Sequence, residues 1–151
     1  MIERHFSDLS DLKYRIFTIE RNKRHRLNLT ILEWTGTYGY GSQGNYDGVF
    51  MRVVTYAALS AWHSHGVIFD LRGLEYEWGD KILEMFGRGL DPSGVEDMPY
   101  ATLISEKCRP GFSTCMSIVE PVFDTLESAV EDVARRALEN PYALRGELED
   151  G

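Results

Sequence analysis

Four groups of residues have the types and spacing to do chemistry. Ser113 lies in a Gly111-Phe112-Ser113 turn and, with His63 or His65 as base, would make a serine nucleophile. That chemistry needs the base within hydrogen-bond reach and donors for the oxyanion. His63 and His65, two apart, can also ligate a metal from an extended segment, with Asp70 as a third group. Histidine near a helix end is equally favoured by the helix dipole, and no further ligand accompanies this pair. Gly39-x-Gly41-x-x-Gly44 spells a dinucleotide fingerprint, which requires a helix to open at its last glycine and an acidic residue about 20 positions on. The helical pattern here starts later, at Val49 behind a capping Asp47, and nothing acidic stands near position 64.

The fourth group is Glu75-Tyr76-Glu77-Trp78-Gly79-Asp80. Tyrosine and tryptophan are the residue types that carry binding energy at interfaces, and carboxylates beside them speed encounter with a basic partner. Glu84, Asp91, Glu96 and Asp97 extend the acidic surroundings. Tyr38 and Tyr40, in a loop of five glycines and three tyrosines over residues 35–48, join the surface as a flat contact area. The expected site is therefore a protein-binding surface of Glu75, Tyr76, Glu77, Trp78, Asp80, Glu84, Tyr38 and Tyr40, with no catalytic residue, no metal and no cofactor.

The elements that must position these groups emerge from periodicity. Val67-Ile68-Phe69 with Leu71 is a continuous apolar run, the pattern of a strand buried on both faces of a parallel sheet. Its end delivers the Glu75–Asp80 stretch to the carboxyl end of a sheet strand, where open α/β folds place their sites. Tyr14–Glu20 and residues 27–34 read as an antiparallel hairpin around a basic turn of Arg21, Lys23, Arg24 and Arg26, a solvated tip in this acidic setting. Val49–Trp62 reads as a helix whose apolar face runs Phe50, Val53, Val54, Ala57, Ala58, Ala61, Trp62. Asp80 caps a helix to about Gly87, and residues 91–99 form a polar loop. Ala101–Ser105 is a second inner strand, a helix starts near Phe112, and Ile118–Phe123 is a last strand bent at Pro121. Asp124 and Glu127 cap a final helix with the stripe Leu126, Ala129, Val130, Val133, Ala134, Ala137, Leu138. The expected fold is one α/β domain over residues 1–151, a mostly parallel sheet with an N-terminal antiparallel hairpin and helices packed on it, and loose termini at 1–13 and 141–151.

Bulk composition agrees with a single globular domain of 151 residues. The net charge is −8, with −5 in each of residues 75–97 and 124–150, which leaves about +2 elsewhere. Such a surface repels nucleic acid and anionic lipid, so neither is an expected partner. The N-terminal residues lack a signal-peptide core, and no stretch approaches a membrane span of about 20 apolar residues. Cys108 and Cys115 fall in no ligand pattern, so reduced thiols in the cytoplasm are expected.

Two families share stretches of this sequence. Gly66-Val-Ile-Phe-Asp-Leu-Arg-Gly73 resembles the segment before the oxyanion loop of tail-specific serine peptidases, in the crotonase and Clp-protease fold group. Ala101–Ser105 followed by Gly111-Phe-Ser113 is similar to their next strand and nucleophile turn. Where that family has further glycines, this chain has Leu74-Glu75-Tyr76-Glu77, whose carboxylates oppose an oxyanion, and no lysine base comes after Ser113 at the usual distance. The resemblance implies a degenerate, non-catalytic member, with a Ser113 hydrolase as alternative. Acyl-CoA binding in the crotonase manner would use Lys107, Arg109 and the basic turn. The rival resemblance is to STAS-type domains, small cytoplasmic partner-binding folds of the anti-sigma-antagonist kind. It rests on the helix, the buried strand ending in Asp70 and its loop, and the late helix beginning Phe123-Asp-Thr-Leu-Glu-Ser-Ala129. Their phosphorylatable serine after the central strand is missing, since residues 73–80 contain none. This resemblance implies a non-enzymatic regulator; a bacterial immunity protein neutralising a basic toxin has the same surface chemistry.

Overall fold

In the computed structural model, which describes residues 1–21, 26–86 and 98–139, five strands form one sheet in the order β1-β2-β3-β4-β5. They are β1 Lys13–Arg21, β2 Leu27–Thr37, β3 Gly66–Glu75, β4 Tyr100–Leu103 and β5 Val122–Phe123. β1 is antiparallel to β2, and every other neighbouring pair is parallel. The helices are α1 Asn45–Ala61, the single turns α2 Arg109–Phe112 and α3 Met116–Val119, and α4 Leu126–Glu139. This is the α/β sheet with an N-terminal hairpin expected from the sequence. Lys23, Arg24 and His25, the Gly87 and Gly89 helix end, Asp91, Glu96, Asp97 and the tail from Asn140 lie outside the described residues.

β3 is the inner rung. Every residue from Gly66 to Leu71 is buried. Alternation divides its side chains between two layers, because successive residues of a strand point to opposite faces. Val67, Phe69 and Leu71 meet Phe50, Met51, Val54 and Ala58 of α1, with Ile82, Met85 and Phe112 beside them. Ile68 meets Ala129, Val130, Val133 and Ala137 of α4, with Leu29, Ile31, Ala101 and Leu103. The strand runs past its apolar stretch because Asp70 is neutralised in place. Arg72 Nε and Nη2 donate to the Asp70 carboxylate at 2.9 and 2.8 Å, so a carboxylate only 5% exposed keeps a bidentate partner.

Local structure departs from the sequence pattern at several points. α1 opens at Asn45, four residues early, because the Asp47 carboxylate accepts from the Gly39 amide at 2.9 Å and from the Ser10 hydroxyl instead of capping a later start. Its buried face is Phe50, Met51, Val54, Thr55, Ala58 and Leu59, while Ala57, Ala61 and Trp62 are exposed. Asp80–Met85 is a 3-10 helix. Ile118 belongs to α3 rather than to a strand. Glu120 donates back to Met116 and is held extended before Pro121, which ends the turn and leaves only Val122–Phe123 to pair with β4.

At α4 the cap is Thr125, not Asp124: its hydroxyl accepts from the Ser128 amide at 3.2 Å, satisfying one of the orphan donors of the first turn. Thr125→Ala is expected to cost about 1 kcal/mol in urea unfolding. Asp124→Ala, at an exposed position outside the cap, is expected to stay within about 0.5 kcal/mol.

Candidate functional site

Three loops leave the carboxyl ends of the parallel strands and are stitched together by backbone bonds. After β2, the Tyr38 amide donates to Glu75 O at 2.9 Å and the Gly41 amide to Trp78 O at 3.0 Å. After β3, the Tyr76 amide donates to Lys107 O, in the loop after β4, at 3.1 Å. The loop after β3 therefore has a neighbour on each side and a defined shape.

Tyr76 is the peg of that shape. It is 3% exposed, and its hydroxyl donates to Gly79 O at 2.6 Å. Its ring packs edge-on to Tyr38 at 5.2 Å and against Phe112 at 4.7 Å. Gly79 closes the turn at φ 138°, a conformation that side-chain-bearing residues rarely adopt. Trp78 is thereby turned outward, 56% exposed, and stacks obliquely on Tyr40, 62% exposed, with ring centroids 5.5 Å apart. Gly41, at φ 58°, lies under the indole, and a Cβ there would stand 2.4 Å from Trp78 Cζ3. Glu75, Glu77 and Asp80 are exposed around the pair, and Thr37 donates to Glu75 Oε2 at 3.2 Å.

Two members of the expected surface are buried and a third is ion-paired. Tyr38 and Tyr76 are inside, because the loops fold over them to bury their rings, and they support the surface rather than form it. Glu84 is already paired, with Lys81 at 2.7 Å and Arg52 of α1 at 3.1 Å, and the Lys81 hydrogen bond leads in drawing its carboxyl below the ordinary range. The solvent-facing members are Tyr40, Trp78, Glu75, Glu77 and Asp80.

The catalytic alternative does not assemble. His65 precedes β3, where its Nδ1 accepts from the Asn28 amide at 3.0 Å, and His63 is exposed beside it. Ser113 comes after α2 at the other end of the sheet, an exposed turn residue donating its amide to Pro110 O. β3 between them spans about 30 Å. Among the described residues no group of three histidine, cysteine, aspartate or glutamate side chains converges as a metal site. Asp70, the third group of the histidine pattern, is held by Arg72. Burial pushes the Cys108 and Cys115 thiols up, away from nucleophilic character. Arg21 and Arg26 stand at the amino end of β2, whereas Lys107 and Arg109 lie beyond the carboxyl end of β4, so among the described residues these cations do not form one crotonase-style basic surface. The glycine fingerprint does run from a strand into a helix, contrary to the sequence expectation. However, the Gly39 amide is taken by Asp47, a carboxylate standing where an anionic ligand would approach.

No family model matches the chain, and no curated protein does. Among solved structures, an anti-sigma factor antagonist from Mycobacterium paratuberculosis is similar in fold, with a TM-score of 0.51 at 12% identity, covering 80% of this chain and 95% of that one. The likeness is one of fold, and it agrees with the fold that the STAS resemblance implies rather than with the peptidase and crotonase one. No helix among the described residues is long and apolar enough to cross a membrane.

Burial, with Cys115 and Asp80 adding, pushes the Tyr76 phenol up to about 12. A tyrosine protonated more tightly in the fold than in the unfolded chain stabilises fully below its ordinary 10.0, and that contribution is lost as pH rises towards 12. The urea midpoint is therefore expected to fall across this window, and Tyr76→Phe to flatten the fall; an equally steep fall in the variant would contradict the clamp.

Proposed function

We propose that this chain is a non-enzymatic, STAS-like regulatory domain that binds a protein partner through Tyr40, Trp78, Glu75, Glu77 and Asp80. The observation that carries the reading is the pairing of an exposed indole and an exposed phenol on a turn braced from below. An aromatic pair held in one orientation loses little conformational freedom on binding, so more of its contact area appears as affinity. The three carboxylates around it favour a partner with a basic face and steer its approach. This role requires no cofactor, and a cytoplasmic setting suits it.

The test is affinity capture from the source cells followed by titration of the captured partner. Trp78→Ala is expected to weaken binding by about 2 kcal/mol, roughly thirtyfold. Glu75→Lys with Glu77→Lys is expected to slow association and to remove its salt dependence. Equal retention by all three proteins would mean that the contact lies elsewhere.

A further inference from the structure

We propose that the outer edge of β1 takes an acidic, extended polypeptide segment as a further strand, at a surface separate from the Trp78 turn. The sheet has two edges of very different kind. β5 offers two residues. β1 offers nine, Lys13–Arg21, in unbroken register with β2 from Lys13↔Thr35 to Arg21↔Leu27. It contains no proline, glycine or bulge, the usual devices that spoil an edge for pairing. No described strand lies on its outer side, and seven of its nine residues are exposed. An open strand of that length presents a row of backbone donors and acceptors to an incoming chain.

Side chains say which chain fits. Lys13, Arg15, Phe17, Ile19 and Arg21 share the α4 face, since Phe17, Ile19 and Arg21 pair with Ile31, Leu29 and Leu27. Tyr14, Ile16, Thr18 and Glu20 share the α1 face, where Tyr14 and Ile16 pair with Trp34 and Leu32. One face is thus cationic, with the Arg15 guanidinium 4.8 Å over the Phe17 ring and one carboxylate, Glu33, 3.4 Å from Arg15. The other face offers Tyr14, 44% exposed, beside a half-buried Ile16. A segment alternating carboxylates with apolar residues matches both faces at once. A second copy matches less well. Antiparallel self-pairing centred on Phe17 sets Lys13 opposite Arg21, and centring on Thr18 sets Arg15 opposite Arg21, like charges directly across a ladder.

The experiment is an NMR titration of the isotope-labelled protein with a capped nonapeptide alternating Glu and Val. Shift changes and exchange protection are expected along the β1 amides, and none with the Lys/Val counterpart. Arg15→Glu with Arg21→Glu should weaken the Glu/Val peptide at least about tenfold and admit the Lys/Val peptide. Alternate N-methylation of the peptide should abolish binding in one of its two frames, because only one set of amides faces the ladder. Unshifted β1 amides, or binding indifferent to N-methylation in both frames, would overturn the proposal. Concentration-dependent β1 shifts without peptide would overturn it in favour of a second copy as occupant.

Discussion

A strand covered on both faces can meet solvent only at its ends, and that constraint shapes this protein. β3 has α1 on one side and α4 on the other, with β2 and β4 along its edges. From Gly66 to Leu71 its side chains are committed to the two layers, and from Val67 to Asp70 its backbone is committed to the two ladders. Any contribution of β3 to recognition must come from its far end, where Arg72, Gly73 and Glu75 are exposed, with the loop it leads into, or from the segment before Gly66. The segment before Gly66 is occupied with internal bonds to Asn28 and Thr30. The loop beyond Glu75 holds the exposed indole.

That loop shows how a rigid display is built from a short turn. Tyr76 and Trp78 are two residues apart, and one is the anchor of the other. The Tyr76 ring is fixed by Tyr38 and Phe112, its hydroxyl fixes Gly79, and backbone bonds from Gly41 and to Lys107 hold the turn from both sides. The surrounding carboxylates stay outside because their charge is costly to bury, and they set the sign of the field over the aromatic pair. Glu84 escapes this role because Lys81 and Arg52 use it to join the 3-10 helix to α1.

Much of the architecture was legible from one-dimensional pattern. The Val67–Leu71 run announced an inner strand, and the stripe from Leu126 to Leu138 announced α4, because burial on one or two faces imposes a period that survives in sequence. The division of labour between Tyr76 and Trp78 carries no such period. It depends on Gly111, Phe112 and Tyr38, which reach Tyr76 through the fold rather than along the chain. Asp47 escapes a local capping rule for the same reason: its carboxylate reaches outward to Gly39 and Ser10. Sequence spacing does not say at which end of the sheet Ser113, His63 and His65 stand. A parallel strand order sends the histidines before β3 to one end of the sheet and the serine beyond β4 to the other. Thr125 displaced Asp124 as the α4 cap by one position, a shift within the ordinary blur of helix boundaries.

The most direct measurement is quenching of Trp78 fluorescence in a Trp34→Phe/Trp62→Phe protein whose fold is verified by circular dichroism. An indole presented to water within a ring of carboxylates should emit at long wavelength and be quenched readily by caesium and poorly by iodide. Blue-shifted emission that neither ion quenches would place the indole inside the protein and contradict the account.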